Sequence, residues 1–345
     1  MKFSCSILAV LAAFTSAACA TGNVRMLTWV VKPDSAPNDG ISVNETISSL
    51  NSTVPNDSEM NYYANYTQLA WSTRRIAVAN EVLFNKVQVF AIQGVYTRQM
   101  TDLIELLGSN WVYEGVGRDD GVESGEYVAV FYDTDYIKSL SYDVFWLSNT
   151  PATVSKYSGA GSYRIATVVK LSLISTGDDF TVISTHLDDA SNDARKVGAS
   201  LIRYRAAYEA SLKGEPVFLL GCLNSSPGDS SADAYEISTG TEDMVSINSD
   251  FSANYTSAIS NSFYFIDVLD ATKPERRSGH FSTVSGWNKI GDTSSFERSS
   301  FGFGSSTGGW LAQRYRVGEN FFDDEYHQSL HRPLYFDVSV GVPAM

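Results

Sequence analysis

What most constrains this chain is a succession of short, extended apolar runs divided by polar turns. They fall at 24–31, 87–92, 127–132, 165–173, 180–185, 216–220, 264–269 and 334–340, and each reads as a β-strand. The last shows why most plainly. Leu334, Phe336, Val338 and Val340 alternate with Tyr335, Asp337 and Ser339, the period-two pattern of a strand with one buried face. Three other segments carry helical spacing. In 68–85 the apolar positions Ile76, Ala79 and Leu83 are expected to share a face, and in 97–107 the face is Met100, Leu103, Ile104 and Leu107. The third runs Ala194, Val197, Leu201, Tyr204 and Tyr208, and stops at Gly214 and Pro216. There is no repeat and no linker rich in Pro or Gly, so the pattern predicts one large α/β or α+β domain with two sheets buried under helices.

Composition agrees with such a core. The 345 residues are 43% hydrophobic and 19% charged, too apolar for disorder. Twenty-five Lys+Arg against 39 Asp+Glu give a net charge of −14. That field repels polyanions, so neither nucleic acid nor an anionic membrane is an expected partner, although a local basic pocket is compatible with it. A monomer is expected.

The amino terminus points to a compartment. Lys2, an apolar stretch over 7–13 and then Ala18-Cys19-Ala20 follow the order of a secretory signal over 1–20, leaving 21–345 as the mature chain. No later run approaches the roughly 18 apolar residues that a membrane span needs, so the expected location is extracellular or within the secretory lumen. Asn44, Asn51, Asn56 and Asn65 are glycosylation sequons crowded into a polar stretch over about 38–66, and Asn254 is another. The stretch reads as an exposed, glycosylated insertion outside any strong helix or strand pattern. Asn224 is also a sequon but follows a strand directly, so it is expected to stay unmodified. Of Cys5, Cys19 and Cys222, only the last survives signal removal, which excludes an intramolecular disulfide. Cys222 is either a small buried hydrophobe or a thiolate activated by histidine.

Polar residues follow several buried runs directly: Gln93 after Phe90-Ala91-Ile92, Thr185-His186 after 180–184, and Gly221-Cys222-Leu223-Asn224 after Phe218-Leu219-Leu220. Strand ends that converge at one edge of a core build sites, because the scaffold fixes side chains that the loops leave accessible. Along the chain stand Gln93-Gly94-Val95, then Gly115-Val116-Gly117-Arg118-Asp119-Asp120-Gly121 with Gly125-Glu126-Tyr127, and then Trp146-Leu147-Ser148. Tyr163-Arg164-Ile165-Ala166-Thr167, Thr185-His186-Leu187-Asp188, Gly221-Cys222-Leu223-Asn224 and Ser329-Leu330-His331-Arg332-Pro333 follow in order. This series resembles the endonuclease/exonuclease/phosphatase superfamily, most of all its secreted fungal branch, from about residue 25 to 340. The resemblance implies an α+β fold, a four-layer sandwich of two mixed β-sheets flanked by helices. It also implies an ancestry of Mg²⁺-dependent phosphodiester or phosphomonoester hydrolysis.

Matched position by position, the family's residues are only partly present. Its first-strand asparagine falls on Val30, its metal-binding glutamate on Gly94, and the aspartate of its Gly-Asp-x-Asn motif on Cys222. Its late Arg-Ile-Asp segment falls on Arg298-Ser299-Ser300, and the aspartate before its final histidine on Leu330. Tyr127, Arg164, His186, Asn224 and His331 match. Magnesium needs hard oxygen ligands, which these replacements do not offer, so neither metal nor cofactor is expected. His186, His331 and Asn224 are the catalytic candidates. Arg164, Tyr127 and Cys222 are the ligand-binding candidates, with Arg164 as the one fixed positive group. Asp119, Asp120, Asp188 and Asp189 read either as a replacement metal site or as solvated turns. Two functional classes then compete: a repurposed, metal-free enzyme acting on a small organic molecule, by analogy with fungal secondary metabolism, and a non-catalytic secreted binding protein. A surviving metal-dependent phosphoesterase or nuclease is the third reading.

Overall fold

The computed structural model describes residues 22–34, 39–50, 68–230, 232–288, 291–320 and 327–343. The leader expected over 1–20, and the sequons at Asn51, Asn56 and Asn65, lie outside the described residues. In chain order the elements are β1 (Gly22–Val30), α1 (Val43–Ser49), α2 (Trp71–Phe84), β2 (Val89–Val95), α3 (Thr97–Leu107), β3 (Trp111–Gly117), β4 (Tyr127–Asp133), β5 (Ile137–Trp146), β6 (Ile165–Leu173) and β7 (Asp179–His186). There follow α4 (Asn192–Lys213), β8 (Val217–Cys222), α5 (Asp233–Thr239), α6 (Ser249–Asn254), β9 (Phe265–Asp267), α7 (Val268–Ala271), β10 (Arg277–Gly279), β11 (Ser300–Ser305), β12 (Trp310–Val317) and β13 (Leu334–Val340). No helix among the described residues is long and apolar enough to cross a membrane.

Two sheets form. The first runs β10-β12-β13-β1-β2-β4-β3 and the second β5-β6-β7-β8-β11-β9. Both are mixed: β1 pairs with β2 in parallel, as does β7 with β8, while β1–β13 and β6–β7 are antiparallel. Because side chains alternate across a strand, each sheet presents two apolar faces. Val24, Met26, Val89, Ala91 and Val130 of the first sheet meet Val169, Leu171, Val182 and Leu220 of the second in a shared core. Leu27, Trp29, Phe90 and Ile92 point the other way, onto Val78, Val82, Met100 and Leu103 of α2 and α3. Ile183 and Leu219 of the second sheet pack against Leu201, Ile202 and Ala206 of α4. The result is the expected four-layer α+β sandwich of two mixed sheets flanked by helices.

Helix α4 forms where its spacing places it, with the Ser191 hydroxyl accepting from the Ala194 amide and Gly214 taking the left-handed conformation at its end. Three expectations are corrected. The buried face of α2 is Trp71, Arg75, Val78, Ala79 and Val82, whereas Ile76 is half-buried and Leu83 is 41% exposed. Trp71 Nε1 and Arg75 Nη1 each lie 2.9 Å from the Asp102 carboxylate, and these contacts set the helix rotation in a way that hydrophobic periodicity does not register. The run 264–269 is a strand only over Phe265–Asp267, because the Asp267 side chain accepts from the Leu269 amide and starts α7. The polar stretch 38–66 contains the helix α1, which a reciprocal Ser42–Glu45 capping box starts.

Candidate functional site

The carboxyl ends of the two parallel strand pairs meet at one edge of the sandwich. Val30 of β1 lies beside Gln93 of β2, and His186 of β7 beside Cys222 of β8. The Gln93 side chain is fully buried and joins the pairs: its Nε2 donates to Ser184 Oγ at 3.0 Å, across from one sheet to the other. His331, just before β13, reaches the same edge. Trp29 Nε1 donates to the His331 carbonyl at 2.8 Å, and the Ser329 hydroxyl donates to the Val30 carbonyl at 2.6 Å.

The two histidines are the most perturbed groups here. Burial, then the Arg164 guanidinium, the neighbouring His331 imidazole and the Arg118 and Lys32 charges, hold His186 well below the usual imidazole range. Burial, with help from Lys32, pushes His331 down to about 3. Both rings are therefore neutral at physiological pH. In each, the Nδ1 atom is buried and has no hydrogen-bond partner, an uncommon and costly arrangement for a buried polar group.

Asn224 adopts a left-handed backbone, φ +47°. Its Nδ2 donates to the Leu187 carbonyl at 2.9 Å, next to His186. Cys222 is buried, with its Sγ 3.3 Å from Asn224 Oδ1 and 3.6 Å from Ser299 Oγ. Burial pushes its thiol pKa up, which is the opposite of what an activated thiolate needs.

Charge is arranged differently from the sequence expectation of a single cation. Arg164 faces the site, but its Nε lies 3.2 Å from Asp188 and its Nη2 2.7 Å from Asp189. Burial alone would raise the Asp188 carboxyl; the amides of Gly161 and Ser191 and the Arg164 guanidinium outweigh it and hold the group below its ordinary value. Arg118 forks onto Glu126 at 3.0 and 3.1 Å. Lys32, by contrast, makes no ion pair among the described residues, and its charge acts on both imidazoles. Nothing in the sequence singled out Lys32, since a lysine after a strand is ordinary; its left-handed φ of +76° turns the chain at this point. Tyr127 is not brought to the histidines. It packs among Trp29, Met100 and Leu103 beneath α3, edge-on to Tyr113.

No family model matches the sequence and no curated protein matches it. Solved structures do match the fold. An endonuclease/exonuclease/phosphatase from Bacteroides vulgatus superposes with a TM-score of 0.69 at 23% identity, covering 92% of this chain and 99% of that one. A mannosyl-6-phosphatase from Bacteroides thetaiotaomicron gives 0.65 at 20% identity, over 91% and 99%. The human Nocturnin catalytic domain, solved with a sulfate anion, gives 0.55 at 13%, over 92% and 94%. This chain has the endonuclease/exonuclease/phosphatase fold.

Hydrolases of that kind imply a divalent metal, and the residues at this edge do not fit one. Among the described residues, no three His, Cys, Asp or Glu side chains gather as a metal ion needs. Val30, Gly94, Cys222 and Leu330 present one soft sulfur and no oxygen. The carboxylate nearest Gly94 is Glu126, with Oε2 3.7 Å from where a Cβ on Gly94 would stand, and Arg118 already occupies it. Asp188 and Asp189 are bound to Arg164. Asp119 lies 3.7 Å from Arg118, and Asp120 accepts from the turn amides of Val122, Glu123 and Ser124.

Proposed function

We propose that this protein has turned the strand-end cleft of a phosphoesterase fold to a small, largely apolar, neutral or weakly acidic organic molecule, bound and acted on without metal. The observation that carries this reading is the pair of neutral imidazoles with unbonded Nδ1 atoms, together with a lysine that makes no ion pair among the described residues. A neutral imidazole offers one donor and one acceptor, which suits a hydroxyl- or carbonyl-bearing ligand. An acidic group on that ligand suits Lys32. Asn224 then positions the loop after His186, and Cys222 packs. Binding without turnover is the second reading. What favours it is the low basicity of His331, because a useful general base has a pKa near the working pH.

His186→Ala and His331→Ala are each expected to lose the small molecule retained through native purification, as read by native mass spectrometry, with affinity at least about tenfold weaker. Their melting temperatures should change little, because each change also removes a buried nitrogen that has no hydrogen-bond partner, which offsets part of the lost packing. Two folded variants that keep the ligand in full would refute the cleft as its site.

Secretion and glycosylation belong to the same proposal. Asn44 on α1 and Asn254 at the end of α6 are exposed, while the Asn224 amide is already engaged. Peptide mass spectrometry before and after glycosidase treatment should find sugar at Asn44 and Asn254 and none at Asn224. Full occupancy at Asn224 contradicts its placement.

A further inference from the structure

A second feature lies away from the imidazole cleft and does not depend on its reading. A cavity of about 1170 Å³ opens on the outer face of the first sheet, at the amino-terminal ends of β1 and β2, and a hollow of about 290 Å³ shares several of its wall residues. Helices α2 and α3 pack over β1, β2 and β4, while β10 and β12 contribute nothing to that core. The uncovered part of the sheet face carries charge instead. Arg25, Lys86, Arg276, Arg277 and Arg314 line the cavity and Arg316 the adjoining hollow, against only Asp133, Glu275 and Asp337. In a chain of net charge −14, this is a local reversal of sign.

The strand register explains why the charge is not neutralised internally. Arg25, Asp337 and Arg314 stand side by side on β1, β13 and β12. Both Asp337 oxygens are taken by Arg25, at 2.7 and 2.8 Å. Arg314, Lys86, Arg276 and Arg277 make no ion pair among the described residues, and Arg316 lies over the Tyr335 ring at 5.9 Å. Like charges gathered without counterions repel one another, so the arrangement favours an anion brought from outside. Its charges must be spaced. Arg25 and Arg314 are two strands apart, roughly 10 Å, further than one phosphate or sulfate reaches. At the β4 side of the cavity the wall offers Tyr136, which is 52% exposed, a flat apolar surface for an uncharged ring.

We propose that this face binds an acidic oligosaccharide, one whose sulfate or carboxylate groups are spaced along a chain of neutral sugar rings. The charge comes from the arginine row and the shape from a half-open cavity large enough for several rings. The test is calorimetric titration of the full mature chain with a heparin-derived tetrasaccharide and with tetragalacturonate, using maltotetraose as the neutral control. One or both acidic probes should bind, and 0.5 M NaCl should weaken that binding by screening it. The double variant R276E/R314E should bind at least about tenfold more weakly at an unchanged melting temperature. Binding of the sulfated probe alone, or of the uronate alone, identifies the acid group. The proposal is overturned if neither acidic probe binds below about 1 mM or if R276E/R314E keeps full affinity. It is also overturned if maltotetraose, a thymidine tetranucleotide or phosphatidylserine vesicles bind as tightly.

Discussion

Purified protein given Mg²⁺ or Mn²⁺ is expected to hydrolyse neither DNA nor a phosphomonoester above the buffer blank, and EDTA should change nothing. Metal-assisted hydrolysis works by holding the ion against the phosphoryl oxygens, and the side chains at Val30, Gly94, Cys222 and Leu330 supply no oxygen to hold it. Single reversions should fail too. Gly94 has φ +65°, and a Cβ there would stand 3.2 Å from Val30 Cγ1. A glutamate at 94 would therefore enter a left-handed backbone at a cost of about 1–2 kcal/mol and meet Glu126 on the same side. Carboxylates at 94, 222 and 330 together are the least that should restore metal binding. Chelator-sensitive turnover by the unmodified protein would show that a metal is held some other way.

Asp267→Ala should be among the most damaging single changes to stability. The Asp267 side chain is 1% exposed and that of Arg298 13%, and Arg298 Nη2 lies 2.8 and 2.6 Å from the two carboxylate oxygens. Tyr235 donates to the same carboxylate at 3.3 Å, and the Leu269 amide does so at 2.9 Å. Removing the acid strands a buried guanidinium and uncaps α7, which together should cost about 3–5 kcal/mol in urea unfolding. Replacing both partners with apolar residues, Asp267→Leu with Arg298→Met, should recover most of that loss, since the penalty is for an unpaired charge rather than for a missing attraction. A loss under about 1 kcal/mol for the single change would mean that solvent screens the pair.

The elements legible in the sequence are those whose burial leaves a simple apolar pattern. Strands β2, β4, β6 and β8 are mostly apolar because both faces are covered, and β13 alternates as its residues predict. Strand β11 reads Ser-Phe-Gly-Phe-Gly-Ser and was not visible. Its Gly302 and Gly304 are places where the Phe336 and Trp310 rings occupy the space of an absent Cβ, 2.3 and 2.2 Å away, so the packing partner lies on another strand. Strand β12 was hidden by its outward arginines, and the face of α2 by Trp71 and Arg75, whose polar ends bind Asp102 while their bodies are buried. At the site, the order of motifs led to His186, His331, Cys222 and Asn224, which are strand-end residues. Lys32 is not legible in the sequence, because its charge reaches two histidines distant in sequence through a backbone turn. The packing of Tyr127 beneath α3 is not legible in the sequence, because a strand shows alternation but not which of two buried faces a given residue takes.

The buried amide of Gln93 has a mechanical meaning. Together with the Thr167 hydroxyl, which donates to the Val128 carbonyl at 2.6 Å, it stitches one sheet to the other close to where the cleft opens. Val30 and Gln93 stand on one sheet and His186 and Cys222 on the other, so sliding one sheet over the other would break hydrogen bonds that no water can replace in a dry core. The strand ends that carry Val30, Gln93, His186 and Cys222 are therefore held at a set spacing. A ligand of the kind proposed would meet this preset spacing on arrival, and any adjustment would fall to the loops around it.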